Sequence, residues 1–193
     1  QIEDVLDMAK IEAGRVQIEK RPFDLGKLLT GTMKVVLPQA RYKGLAINTE
    51  IAGDVARWFE GDGHHLRQVL LNLLANAVKF TERGEILLRA NTVTSSVDGA
   101  LVRFEVRDTG IGIPAELLPH VFDSFIQGDR SLARSQGGLG LGLALVRGLI
   151  QLHGGSVTAR SDGAGQGAEF VVRLPVAERP NAECGMRNAE SPE

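Results

Sequence analysis

The stretch from His65 to Thr81, HLRQVLLNLLANAVKFT, restricts the possible folds of this chain more than any other. Leu66, Val69, Leu70, Leu73, Leu74, Ala77 and Val78 recur at three-and-four spacing, so they share one face of an amphipathic helix that must lie on a core. Gln68, Asn72, Asn76 and Lys79 fall, at about 100° per residue, in one stripe about 80° wide on the opposite side. Asn is poorly suited to a helix interior, because its amide competes for backbone hydrogen bonds. Two of them one turn apart therefore predict a site, and the competing reading is a surface helix whose polar face happens to hold two Asn.

At 193 residues the chain has room for one domain with short appendages. Its 22 Lys and Arg against 24 Asp and Glu leave a net charge of −2, which offers no electrostatic footprint for nucleic acid. The single cysteine, Cys184, lies in a polar tail; that rules out an internal disulfide framework and fits a reducing compartment such as the cytoplasm. Neither a signal peptide nor an apolar run long enough to span a bilayer is evident. Because the chain opens at Gln1 inside a helical pattern, it is expected to be a piece of a longer protein, membrane tethering of which stays open.

Along the chain, residues 1–13 read as the end of a longer helix stopped at Gly14, and Arg15 to Phe23 as a short edge strand, with Pro22 excluding a central position. Asp24 is the expected N-cap of a helix to about Lys43, kinked or broken at Pro38. Leu45 to Ile51 and Val55 to Glu60 read as a hairpin around Gly53-Asp54. Glu85 to Thr94 and Ala100 to Asp108 read as a strand pair in which Val102, Phe104 and Val106 share a face that also takes Asp108. A short helix near Ala115 to Val121, a helix from Gly140 to Leu152, and strands Ser156 to Ser161 and Ala168 to Leu174 complete the pattern. The tail past Val176 is polar and expected to be disordered.

Two further motifs carry chemistry. In DTGIGIP, Asp108 to Pro114, a carboxylate at a strand end faces the core and needs donors to offset desolvation. Gly110 and Gly112 leave room for a flat ligand whose amino group, as in a purine, is one such donor; an Asp closing its own turn is the alternative. In GGLGLGLALV, Gly137 to Val146, a glycine-rich loop runs into a helix, where free N–H groups and the dipole favour phosphate. The spacing is neither that of a Walker A loop nor that of a dinucleotide-binding fingerprint.

NLLANAVKFT (Asn72 to Thr81), DTGIGIP, VFDSF (Val121 to Phe125) and GGLGLGL (Gly137 to Leu143) resemble, in order and spacing, the N, G1, F and G2 boxes of sensor histidine kinases. GQGAEF (Gly165 to Phe170) stands where the last glycine box falls, and DVLDMAKIEAG (Asp4 to Gly14) is similar to the end of the dimerisation helices. The resemblance implies an α+β fold, a two-layer α/β sandwich shared with gyrase and heat-shock ATPases, with helices on one face of a mixed, mostly antiparallel sheet. It divides the chain into residues 1–21, the end of the dimerisation helix and a linker; 22–176, the ATP-binding domain; and 177–193, a tail or linker.

It also implies roles. Asn76 would coordinate Mg²⁺, with Asn72 a second polar residue near the metal, and Lys79 would reach phosphate oxygens. Asp108 would read the adenine amino group in a pocket shaped by Gly110 and Gly112. Gly138, Leu139, Gly140, Leu141 and Gly142 would border the phosphates, Phe122 and Phe125 would anchor the lid, and Arg130 and Arg134 are weaker candidates for the γ-phosphate. Leu139 and Ala168 depart from the Thr or Ser frequent at those positions, and are expected to weaken binding at most. Asn72 stands where hydrolysing relatives carry a Glu; an amide is no general base, so transfer is expected over hydrolysis. None of His64, His65, His120 or His153 has the family's phosphoacceptor context, so by the resemblance the acceptor is expected before Gln1. The expected partners are ATP, a dimerisation domain and a response regulator or receiver domain, in a homodimeric parent of hybrid type, with the fragment itself a monomer. The alternatives are an ATPase of the same superfamily and a nucleotide-free interaction domain.

Overall fold

Alternation along one strand sets the two layers. In β5, Gly99–Asp108, the residues Val102, Phe104, Val106 and Asp108 are buried beneath the helices, while Arg107 on the other face is exposed. The computed structural model describes residues 2–96, 99–125 and 140–178. Its elements are α1 Ile2–Glu12, β1 Arg21–Asp24, α2 Leu25–Tyr42, β2 Ala46–Ile51, β3 Trp58–Gly61, α3 Gly63–Phe80, β4 Glu85–Ser96, β5, a 3₁₀ turn at Leu118–His120, α4 Gly142–Leu152, β6 Ser156–Arg160 and β7 Ala168–Glu178. No helix among the described residues is long and apolar enough to cross a membrane.

The sheet runs β1-β3-β7-β5-β4-β2, with β6 also paired to β7. Every pairing is antiparallel except β2 with β4. Helices α2, α3 and α4 pack side by side on one face, and α3 in the middle buries Leu66, Val69, Leu70, Leu73, Leu74, Ala77 and Val78, the residues its sequence periodicity picks out. On the opposite face Arg89 pairs with Glu50 and Arg103 with Glu105, which gives that side of β2, β4 and β5 a charged surface. The arrangement is the two-layer α+β sandwich expected from the sequence.

Four local expectations are corrected. β2 and β3 do not form a hairpin: β2 is one edge of the sheet, and β3 lies near the other, between β1 and β7. The intervening segment crosses the end of the sheet, where the Asp54 carbonyl accepts from Thr92 Oγ1 and the Arg57 carbonyl from the Leu25 N–H. Pro38 does not break α2, because Pro38 and Lys34, whose carbonyl loses its helical donor, are both exposed and water can replace that bond. Ala115 to Val121 forms turns and the 3₁₀ segment, not an α-helix. The edge strand near Pro22 is also shorter than expected and starts only at Arg21.

Asp24 begins α2. Its Oδ1 accepts from the Lys27 N–H at 3.0 Å and its Oδ2 from Arg57 Nε at 2.9 Å. Burial alone would raise its pKa, but the Lys27 N–H and the Arg57 guanidinium together hold it below the ordinary value. The stabilisation is therefore present above the unfolded pKa and is lost as pH falls through the lower folded one. Asp24→Ala is expected to cost about 1–2 kcal/mol of unfolding free energy near neutral pH, as for other N-caps, and less in acid. Denaturant titrations at both pH values check this; equal losses at the two would contradict it.

Candidate functional site

The centre of the site is where α3 ends against the loop after β5. The Phe80 carbonyl accepts from the Ile111 N–H at 3.1 Å, so the DTGIGIP loop is fastened to the last turn of α3. Gly110 makes that approach possible: a Cβ there would lie 2.4 Å from the Phe80 oxygen and 2.9 Å from Asp108 Oδ1. Gly112 adopts φ +70°, and a Cβ on it would fall 2.0 Å from the Gly163 oxygen. The turn between β6 and β7 closes the other side, where the Gly165 N–H donates to the Ile111 carbonyl at 2.6 Å and the Gly167 N–H to the Gly110 carbonyl at 3.1 Å.

Asp108 sits inside this frame with 7% of its surface exposed. Its Oδ1 accepts from the Gly110 N–H at 2.8 Å, and the Ala168 N–H is a second backbone donor. Burial raises its pKa above the ordinary carboxylate value despite both donors. A carboxylate buried without a cation is under-compensated, and a neutral donor from a ligand would relieve it.

The polar stripe of α3 divides in two. Gln68 belongs to a different contact, since its Nε2 donates to Asp7 Oδ2 on α1 at 2.9 Å. Asn72, half-buried, faces the start of α4: a Cβ on Gly142 would lie 3.6 Å from Asn72 Oδ1, and Asn72 Nδ2 is buried with no partner. Asn76, one turn on, has no side-chain hydrogen bond among the described residues, and the Lys79 ammonium rests 4.8 Å from the centre of the Phe80 ring. Gly140 and the buried Leu141 precede α4, whose first N–H groups have no side-chain cap and remain available to an anion. Gly138 and Leu139, like Arg130 and Arg134, lie outside the described residues.

The two phenylalanines differ. Phe122 is buried edge-to-face on Phe170 with ring centres 6.2 Å apart, whereas Phe125 is 71% exposed at φ 65°. The Phe125 N–H donates to the Gly140 carbonyl at 3.1 Å, which brings the two ends of residues 126–139 together. Sequence reasoning missed three organising residues. Asp123 accepts from Arg147 of α4 at 3.2 Å and contacts His120 Nδ1 at 3.0 Å. Ser161 Oγ accepts from the Ile113 N–H at 2.9 Å and donates to the Gly167 carbonyl at 2.7 Å, joining both glycine segments. Thr109 Oγ1 accepts from the Glu85 N–H at 3.0 Å. Thr109 at least stands beside Gly110, the position of a short polar turn residue; nothing local marks Asp123 or Ser161, whose partners lie 24 and 48 residues away. Two grooves lie away from the site, one of about 550 Å³ along α2 and one of about 190 Å³ beside α1.

Comparison with known proteins agrees with this geometry. Residues 61–178 match the family model described as histidine kinase-, DNA gyrase B-, and HSP90-like ATPase. The sensory/regulatory protein RpfC of Xanthomonas campestris is 43% identical over 91% of this chain and 24% of its own length. The sensor protein GacS of Pseudomonas syringae is 38% identical over 94% of this chain and 20% of its own. This chain thus spans about a quarter of the curated relatives it matches. Among solved structures, full-length ShkA in complex with AMPPNP superposes with TM-score 0.79 at 36% identity, covering 92% of this chain and 35% of that one. The nucleotide-free catalytic domain of the histidine kinase ThkA superposes with TM-score 0.68 at 27% identity, covering 81% and 95%.

The loop geometry predicts opposite outcomes for two glycines. Gly112→Ala is expected to destabilise by more than about 1 kcal/mol, through positive φ and the Gly163 clash together. Gly31→Ala, inside α2 with nothing within 4 Å, is expected to be neutral or to stabilise by up to about 1 kcal/mol. Denaturation midpoints of the two variants test the pair, and equal shifts would refute the reading of the Gly112 contact.

Proposed function

The chain belongs to the histidine kinase-, DNA gyrase B-, and HSP90-like ATPase family, and from that premise we propose that it is the ATP-binding catalytic domain of a sensor histidine kinase of hybrid type. It would transfer the γ-phosphoryl group of ATP to a His of a dimerisation domain, for relay to an Asp of a receiver domain or response regulator. The observation that carries the proposal is Asp108: a carboxylate buried without a cation, beside two close-packed glycines, at the foot of a helix bearing Asn72, Asn76 and Lys79.

The adenine amino group would donate to Asp108, while Gly110 and Gly112 let the base lie against backbone. Lys79 would leave the Phe80 ring to meet a phosphate oxygen, and the uncapped N–H groups of α4, with Gly140, Leu141 and Gly142, would face the phosphates. The fit to Mg²⁺ is favourable, since the side-chain amide oxygens of Asn72 and Asn76 are hard donors, while the buried Asn72 Nδ2, without a partner among the described residues, would donate to a phosphate oxygen. Asn76 would hold the ion with Asn72 beside it; bound Mg²⁺ would neutralise charge on the phosphate oxygens. In the transfer itself an imidazole nitrogen bonds to phosphorus as the bond to the β–γ bridging oxygen breaks, and ADP leaves. Asn72 offers no general base to activate water, which supports transfer over hydrolysis.

Calorimetric titration with a non-hydrolysable ATP analogue tests the reading. Binding is expected, stronger with Mg²⁺, and the Mg²⁺ dependence is expected to vanish in a folded Asn76→Ala variant; no binding in either condition would point to an interaction module instead. Asp108→Ala is expected to weaken ATP and GTP by very different factors, and equal losses would remove Asp108 from adenine recognition. Because the Asp108 pKa is raised, ATP affinity is expected to fall on acidification at a higher pH than an ordinary carboxylate gives, and titrations across a pH series measure where.

A further inference from the structure

Away from the cleft, the N-cap and first turn of α3 meet the C-cap of α4 in a cluster that the nucleotide chemistry does not use. Asp62, His65 and His153 bring one ligand-type atom each to within 4.8 Å of one another. His65 is half-buried: its Nδ1 lies 2.8 Å from Asp62 Oδ2 and its ring packs edge-on to His153 at 6.0 Å. The two groups meet at ion-pair distance, and a cation between them would replace that contact.

The His153 ring is fixed from behind. Its Nδ1 lies 2.7 Å from the Leu149 carbonyl, which can only accept, so Nδ1 carries the proton and the neutral ring presents its lone pair at Nε2. His153 Nε2 is buried and has no partner among the described residues. An imidazole whose rear N–H is held by a backbone carbonyl while its front nitrogen stands empty has the outer-shell arrangement of a metal ligand. Asp62 is held as firmly: Oδ1 accepts from the His65 N–H at 3.0 Å and Oδ2 from the Glu19 N–H at 3.1 Å. A carboxylate offers about four lone-pair positions, so acceptor capacity remains. The groove of about 190 Å³ beside α1 reaches the cluster at His65, next to Asp7, Lys10 and Gln68.

We propose that Asp62, His65 and His153 bind a divalent transition-metal cation, with Zn²⁺ the ion their chemistry fits. Two imidazole nitrogens and one carboxylate oxygen are a borderline-soft donor set that suits Zn²⁺ over Mg²⁺ or Ca²⁺, and three protein ligands leave a fourth position for water. The ion joins the start of α3, the end of α4 and the linker after α1, which reaches the site through the Glu19 N–H.

The test uses the full chain carrying Cys184→Ser, so that no thiol competes, in metal-free buffer without nucleotide. Titration with Zn²⁺ by calorimetry is expected to show one ion per chain, and Co²⁺ is expected to give the visible absorption bands of a low-coordinate site. His65→Ala and His153→Ala are each expected to weaken Zn²⁺ by at least about tenfold, whereas His64→Ala, at an exposed position, leaves it unchanged. Zn²⁺ should raise the unfolding midpoint of the parent and not of the two variants. If an alanine variant does not fold, His65→Gln and His153→Gln replace it with the same expectation. Absence of Zn²⁺ heat and Co²⁺ bands, or affinity unaltered in both histidine variants, overturns the site.

Discussion

The end of α3 has carbonyls that its own helix cannot satisfy, and the arrangement of the cleft follows from how they are met. Lys43 Nζ donates to the Val78 carbonyl at 2.7 Å, the Lys79 carbonyl at 2.9 Å and the Thr81 carbonyl at 3.2 Å. The remaining one, Phe80, is taken by the Ile111 N–H. One cation from the C-cap of α2 and one amide from the loop after β5 thus fix the helix end from two directions. The fixed end sets the height of Asn76 and Lys79 relative to Asp108, which no direct bond between those side chains does. A charged donor to backbone carbonyls in a half-buried place is also worth more than a surface ion pair, because the alternative is unpaired carbonyls.

Strand β5 carries two buried acids with different surroundings. Glu105, on the outer face, is 4% exposed and has the Arg103 guanidinium against it and Arg89 at 4.0 Å. Asp108, on the inner face, has backbone amides alone. The first is an ion pair within the sheet surface; the second leaves charge uncompensated where a ligand can reach it. Similar burial therefore separates a structural carboxylate from a candidate binding one, and the difference lies in whether a cation has been supplied.

The parts of this molecule legible in its sequence are those with a strong local period or a dedicated local residue. Seven apolar positions at helical spacing gave the buried face of α3 residue by residue, and alternation placed Asp108 inward. Asp24 as N-cap followed from residue type and position. What stayed hidden depends on contacts between distant segments. Ala46 to Ile51 has the composition of a strand that pairs with what comes next, yet its partner is β4, parallel to it, because the next strand is needed beside β1. Gln68 sits in the same stripe as Asn72 and Asn76, and only the position of α1 shows that its amide serves Asp7. Lys43, Ser161 and Arg147 act at sequence separations for which neither period nor motif exists.

The hydrogen bond between Phe125 and Gly140 ties the end of the VFDSF segment to the start of α4. Asp123, paired with Arg147 of α4, fastens the same two parts a second time, and Phe122, packed on Phe170, anchors the segment to β7. A displacement of α4 relative to residues 121–125 would therefore have to break a backbone hydrogen bond and an ion pair together, so these two walls of the cleft shift as one piece.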